Sequence, residues 1–272
     1  MPAPIAASSV VASPVGVLLR EARARRRLSQ LELSFRSGVS ARHLSFVETG
    51  RSHPSRDVVR VLGVALDLSL REQNALLAAA GYAAMFPEAG LDAPELAPMR
   101  RAIDLTLAQQ EPFPAFVHDR CWDVLLANAA TGRVLGALRP GGPRHANIVR
   151  QVFDPDDMRP YVENWEEVAE DLLRHLREHT LRHPGDAAAR ALLQEVMARS
   201  DLPRTLRVQE VGARTLPTMV TTFRRDDLRL SFFSTLTRFA ATGDLTLDET
   251  CIEAMHPADE ETRRFCQVLA AD

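Results

Sequence analysis

The sequence predicts an α+β protein in two parts: an all-α run of five helices, then an antiparallel-sheet domain with a helical insertion. Three observations predict it. Residues 14–85 repeat one pattern, a Ser or Pro start followed by a short amphipathic run, with Gly38 and Gly81 closing two of the runs. Residues 112–127 and 214–256 read as strands on either side of a helical block. Between the two parts, residues 86–99 carry three Pro and one Gly, which interrupt helical periodicity and mark a semi-rigid linker.

Residues 1–13 are small and apolar with no basic residue before Arg20, and read as a disordered tail, not a signal peptide. Pro14 to Arg27 forms a first helix with Val15, Leu18, Leu19 and Ala22 as its core stripe. Ser29 and Glu32 make a capping box for a second, with Leu31, Leu33 and Phe35 as its apolar side. Gly38 ends it, because glycine tolerates the left-handed backbone of a sharp turn. Ser40 caps a third helix that buries Leu44 and Val47 and shows Ala41, Arg42, Ser45 and Phe46. Ser55 opens a fourth with Val58, Val59, Leu62, Ala65 and Leu66, and the Ser69/Glu72 capping box opens a fifth that ends at Gly81.

Helix, glycine turn and helix with one polar face describe a reader of the DNA major groove. Arg42 offers a planar fork that matches guanine O6 and N7. Gln30 sits at a helix N-terminus, where a phosphate can dock. His43 either touches a phosphate or lies at the helix edge. Thr49, Arg51 and Arg56, beyond the third helix, are expected to hold the DNA backbone. Ser40, Ala41, Ser45 and Phe46 complete the expected DNA-facing set, residues 14–85 forming the domain that carries it.

In the second part, residues 100–272, Met99 to Gln110 returns to helical period through Ile103, Leu105 and Leu107. Strands are expected at 113–118 and 121–127, with Asn128 capping a helix through Leu135. Val162, Trp165, Val168, Ala169, Leu172, Leu173 and Leu176 trace one helical face, and Asp186 opens another helix. Strands follow at 214–223, 228–238 and 245–256, and a last helix from Pro257.

Five short helices with the third polar outside resemble the phage-repressor (Cro/C1, or XRE) type of DNA-binding domain. The run Val39-Ser40-Ala41-Arg42-His43-Leu44-Ser45-Phe46-Val47-Glu48-Thr49-Gly50-Arg51 resembles one subgroup, the MmyB-like regulators, which add a PAS-like ligand-binding domain. The phrases Val162-Glu163-Asn164-Trp165-Glu166-Glu167-Val168-Ala169, Leu230-Ser231-Phe232-Phe233-Ser234-Thr235 and His256-Pro257-Ala258-Asp259-Glu260 extend it to about residues 14–270. The resemblance implies a transcription regulator that senses a small molecule, fatty-acid-like in part of the family. It supports the phosphate role of Gln30, and it places Arg23 and Glu48 where repressor-type domains carry an internal ion pair. Phe46 departs from the wider repressor pattern, where a polar or basic residue is usual, and suggests contact with a thymine methyl.

The pocket such a domain implies is assigned to Phe116, Trp122, Trp165, Met219, Phe223, Phe232 and Phe233, with Asn128 and Asn164 as its polar groups. A solid aromatic core is the plainer alternative for the same residues.

The 272 residues are 46% apolar and 25% charged, as in ordinary globular proteins, and no apolar run approaches the roughly 18 residues a membrane helix needs. All 33 basic residues are Arg. The net charge of −3 conceals a split, with residues 1–85 at +5 and residues 86–272 at −8, as expected when the first part alone meets phosphate. Cys121, Cys251 and Cys266 lack paired spacing and suit reduced thiols in a cytoplasm. His175, His179 and His183 recur at helical spacing, but no completing Cys or acid favours a metal, and a solvated face is the better account. No phosphate loop, nucleophile elbow or zinc-protease motif is present, so neither an enzyme nor a cofactor is expected. The reading is a cytoplasmic homodimer that binds double-stranded DNA and a small apolar ligand, with no membrane partner. Two alternatives stand beside it: an enzyme with an appended DNA-binding domain, its nearest polar candidates His118, Asp119 and Asn164, or a second domain that serves dimerisation alone.

Overall fold

Ser29, Ser40, Ser55 and Ser69 each open a helix and each accepts a backbone N–H three residues on, from Glu32, His43, Val58 and Glu72. A buried or part-buried helix start needs such a partner for its orphan donors. The computed structural model describes residues 13–207, 219–240 and 243–271. Residues 1–12 of the expected tail at 1–13 and the start of the expected strand, 214–218, lie outside the described residues. The chain divides into two compact units, one of residues up to 88 together with 243–245, the other from residue 89 onward without those three.

The first unit holds α1 (Pro14–Arg25), α2 (Gln30–Ser37), α3 (Ala41–Glu48), α4 (Arg56–Ala65) and α5 (Leu70–Ala79). Gly38 ends α2 in the left-handed region, at φ 71°. The core is Val15, Leu19, Leu33, Leu44, Val47, Leu62, Leu66 and Leu77, all nearly inaccessible. Burial of each Leu contributes about 1.5–3 kcal/mol. At Gly16 a Cβ would stand 2.4 Å from the Val47 carbonyl oxygen, so the α1 backbone lies directly on the end of α3.

The apolar stripes come out narrower than expected. Leu33 is buried, but Leu31 and Phe35 are 58% and 80% exposed. Residues two apart on a helix lie about 200° around its axis, so one short helix cannot bury all three on one side. Leu18, one step from Leu19, is likewise exposed.

In the second unit a short 3-10 turn at Pro94–Leu96 runs into α6 (Ala97–Gln109), which therefore begins inside the expected linker. Ile103 and Leu107 are buried there while Leu105 faces out. Next come β1 (Ala115–His118), β2 (Val124–Ala127), α7 (Ala129–Leu138), α8 (Ile148–Phe153), α9 (Trp165–Arg182), α10 (Ala187–Met197) and α11 (Arg204–Arg207). The chain closes with β3 (Val220–Arg225), β4 (Leu228–Arg238), α12 (Leu245–Glu249), β5 (Cys251–Pro257) and α13 (Glu260–Leu269).

The five strands form one antiparallel sheet in the order β2-β1-β5-β4-β3, so the last strand lies in the middle. One face carries Ala115, Val117 and Ile252, covered by Ile103 and Leu107 of α6. The opposite face carries Leu230 and Phe232 against Val134 and Leu138 of α7 and Cys266 of α13. Helices α8, α9 and α10 build a further core around Phe153, Ala169, Leu173, Leu176 and Leu192.

Two expected strands and the start of the last helix shift. Cys121 and Trp122 belong to the β1–β2 turn, where Trp122 has φ 63° and the Asp119 carboxylate accepts N–H groups from Cys121 and Asp123. The stretch 245–256 starts as α12 and becomes strand only at Cys251. Pro257 ends β5, and Asp259 caps the final helix instead.

Candidate nucleic-acid interface and ligand pocket

Helix α3 is held from beneath. Leu44 and Val47 are inaccessible, and Glu48, only 3% exposed, receives two hydrogen bonds from Arg23: Nε to Oε1 at 2.7 Å and Nη2 to Oε2 at 2.8 Å. Gln30 Nε2 also donates to Glu48 Oε2 at 2.8 Å, and Arg23 Nη1 donates to the Leu28 carbonyl at 2.7 Å. Burial pushes the Glu48 carboxyl up, but the bonds from Arg23 and Gln30 and the charges of Arg23 and Arg20 outweigh it and hold it below its ordinary value. Gln30 thus joins the start of α2 to the end of α3.

The outer side of α3 carries no acid, since its one carboxylate, Glu48, is turned inward. Arg42 is exposed, its guanidinium 5.4 Å from the centre of the Phe46 ring one turn on. Ala41, His43, Ser45 and Phe46 are half-buried on the same short helix. Ser40 and Thr49 spend their side chains on helix ends: Ser40 Oγ accepts from His43 N–H and Thr49 Oγ1 donates to the Ser45 carbonyl at 2.7 Å. Arg51 follows in the loop, where its N–H donates to the Phe46 carbonyl at 2.7 Å, and Arg56 opens α4. Arg42, Arg51 and Arg56 are all exposed, while Arg23, Arg25 and Arg71 in the same unit are drawn into ion pairs.

The aromatics assigned to a pocket share one place only in part: Trp122, Trp165, Met219 and Phe223 all pack against the α8–α10 core. Phe232 and Phe233 are consecutive in β4, so the pleat sends them to opposite faces: Phe232 is packed with Leu230, and Phe233 stacks on His256 at 5.2 Å. One cavity cannot take both from the same face. Phe223 meets Phe232 edge-on at 6.4 Å, and Met219 and Trp122 lean on the α8–α10 core.

Both asparagines are committed to structure. Asn128 caps α7 through Thr131 N–H, accepts from Ala115 N–H and donates to the Leu107 and Phe113 carbonyls. Asn164 donates to the Val220 carbonyl and Glu167 and accepts from Thr222 N–H, which fastens α9 to β3. Each amide gives both its hydrogens to these acceptors and its oxygen to backbone N–H groups, so neither retains a free hydrogen for a ligand.

Trp165 lines an open cleft of about 660 Å³ with Pro155, Arg159, Pro160, Arg199, Ser200 and Asp201. Its Nε1 donates to the Val152 carbonyl at 2.7 Å, and the Arg159 guanidinium lies 3.9 Å over its ring. Sequence reasoning found Trp165 by helical period and missed Arg159, which lies in a proline-rich turn with no periodic signal.

Neither of two further clusters behaves as a metal site. His179 bonds Asp186 at 3.0 Å, with Arg120 on the same carboxylate at 2.7 Å, while His175 accompanies Asp171. Among the described residues no group of three or more His, Cys, Asp or Glu is placed to hold a metal. No helix among them is long and apolar enough to cross a membrane.

Comparison with known proteins gives two family matches. Residues 99–269 match the model described as the MmyB-like transcription regulator ligand binding domain, and residues 19–73 match a helix-turn-helix model. No curated protein matches the chain. Among solved structures, an RNA-binding light-oxygen-voltage receptor is 15% identical, covering 96% of this chain and 64% of its own, at a TM-score of 0.26, too loose a superposition to bear on the fold. The first match spans well over half of the chain and coincides with the sheet domain; the second lies over α1 to α5. The chain belongs to the MmyB-like transcription regulators.

Proposed function

We propose that the protein is a sequence-specific transcription regulator that reads operator DNA through α3 and responds to a small apolar ligand held by the sheet domain. One observation supports the DNA reading above others: an acid-free outer face on α3 that bears the exposed Arg42 and is followed by the exposed Arg51 and Arg56. Arg42 reads a guanine edge and Phe46 a thymine methyl, with Ala41, His43 and Ser45 beside them. Gln30, Ser40, Thr49, Arg51 and Arg56 position the phosphates.

The ligand is fatty-acid-like, as the family resemblance suggests, and Phe116, Trp122, Trp165, Met219 and Phe223 remain the apolar surface offered to it. Ligand binding changes DNA affinity through a coupling free energy, which a homodimer doubles across two half-sites. The regulator works in the cytoplasm, where its three unpaired thiols stay reduced.

Native mass spectrometry of the purified full-length protein, alongside operator selection from a random DNA pool, tests both halves. A retained apolar small molecule and a single enriched operator are the expected results. Failure to enrich any sequence would remove the DNA reading.

A further inference from the structure

Arg23 and Arg150 each hold a carboxylate side-on through Nε and Nη2, Arg23 on Glu48 at 2.7 and 2.8 Å, Arg150 on Glu195 at 2.9 and 2.8 Å. Arg199 turns the same edge to Asp201, its Nε at 3.2 Å and its Nη2 at 3.5 Å. Arg159 departs from this habit. It reaches Asp201 with Nη1 alone, and among the described residues its Nε and Nη2 meet no acceptor. Its guanidinium lies over the Trp165 ring, 3.9 Å from the ring centre, so the indole fixes where those unused donors stand.

Arg159 lines the cleft beside Trp165, together with Pro155, Pro160, Arg199, Ser200 and Asp201. At about 660 Å³ the cleft falls within the roughly 300–1,000 Å³ usual for small-ligand sites. Two guanidiniums face one carboxylate there, a surplus of one positive charge within residues 86–272, whose net charge is −8. The acids that follow along the chain are engaged elsewhere. Asp154, Asp156 and Asp157 pair with His145, Arg144 and Arg139. The Ser200 hydroxyl has no partner among the described residues and adds a donor, while Trp165, Pro155 and Pro160 supply the apolar wall.

We propose that this cleft binds the carboxylate head of an apolar acid. The Nε/Nη2 edge of Arg159 and the Ser200 hydroxyl hold the head, and the chain lies along Trp165, Pro155 and Pro160. Side-on pairing is the geometry in which a guanidinium matches a carboxylate best. Arg199 keeps Asp201 neutralised, so the bound acid meets a cation and not a bare carboxylate. An amine would find Asp201 already taken and two guanidiniums set against it. This rests on the apolar-ligand reading above and adds the charge of the head and its place.

Octanoate, octanol and octylamine share one chain and differ in the head. Titrated into the isotope-labelled full-length protein, they are read by NMR at the Trp165 indole N–H, identified by its loss in Trp165→Phe. Octanoate is expected to bind about tenfold tighter than octanol, with octylamine weakest. Arg159→Gln should bring octanoate to within about threefold of octanol, whose persisting binding reports an intact fold. Asp201→Asn removes the carboxylate that competes for Arg159 and should tighten octanoate about threefold. An ion pair that serves structure alone predicts the reverse, so weaker octanoate binding by Asp201→Asn would overturn the proposal. Octanoate that leaves the Trp165 signal unmoved, or keeps its advantage over octanol in Arg159→Gln, would overturn the site and leave the apolar reading standing. Octanol binding as tightly as octanoate would overturn the acid head. Absence of binding by all three would remove the apolar reading, and the site with it.

Discussion

Arg23 and Glu48 meet side-on, two parallel N–H···O bonds of 2.7 and 2.8 Å joining α1 to the last residue of α3. The pair sets the height of α3 on its support. Removing one member of such a buried pair strands the other and costs about 3–5 kcal/mol. Glu48→Ala is therefore expected to lower the urea midpoint of the helical unit and leave the sheet unit's transition in place. Because the folded carboxyl lies below its unfolded value, its contribution is present above that value and lost as pH falls through the folded one. The gap between Glu48→Ala and the unsubstituted protein should accordingly close in acid; a gap that is the same at pH 7 and at strongly acidic pH would mean the pair is not the cause.

Arginines around α3 should separate by role. Arg42→Ala is expected to cost about 1–3 kcal/mol on the specific operator and little on random DNA. Arg56→Ala should weaken both alike and flatten the salt dependence by about one phosphate. Fluorescence anisotropy across a salt series reads both effects. Equal losses on specific and random DNA for Arg42→Ala would reassign that residue to the backbone.

Asp186 is the keystone of the helical block in the second unit. It caps α10 through Ala189 N–H, and Arg120 and His179 share one of its oxygens. Burial pushes its carboxyl up, but those three bonds dominate and hold it far below the ordinary range. Asp186→Ala should destabilise the second unit by about 3–5 kcal/mol, and Asp186→Asn by less, since the amide oxygen still caps. The stabilisation is present above the unfolded carboxyl's value and fades as pH falls. Denaturation monitored by tryptophan fluorescence follows this unit, because Trp122 and Trp165 both lie in it.

Burial raises the thiols of Cys121 to about 12 and of Cys266 to about 11, and lifts Cys251 in the same direction. The thiolate is the reactive form. Alkylation by iodoacetamide at pH 8 should be slow for all three in the folded protein and complete within the same period in urea. Rapid labelling of Cys121 in the native state would show that the β1–β2 turn opens.

The first unit was legible because its signals are local. Ser29, Ser40, Ser55 and Ser69 each name a helix start, and Gly38 names the turn, from a few residues of sequence. Exposure was harder: Leu31 and Phe35 carry the same hydrophobic mark as Leu33, and only the packing partner decides which is covered. In the second unit, strand pairing brings together residues more than a hundred positions apart, such as Phe116 and Glu253. Nothing in the run Cys251-Ile-Glu-Ala-Met255 says that its acid faces a histidine from the start of the domain. Asn128 and Asn164 looked like ligand groups because an isolated polar residue among apolar ones invites that reading. Their carbonyl and N–H partners come from backbone that sequence does not display.

The position of β5 has a bearing on synthesis. Before residues 251–257 leave the ribosome, β1 and β2 form one ribbon and β3 and β4 another, with no edge in common. The core of the five helices, by contrast, is drawn almost wholly from residues 15–85, and its contacts are local enough to close early. A nascent chain thus presents a finished DNA-reading head for the whole interval in which its sheet is still two unjoined halves. A stop codon between residue 89 and Cys251 would keep the five-helix core and deprive it of the closed sheet.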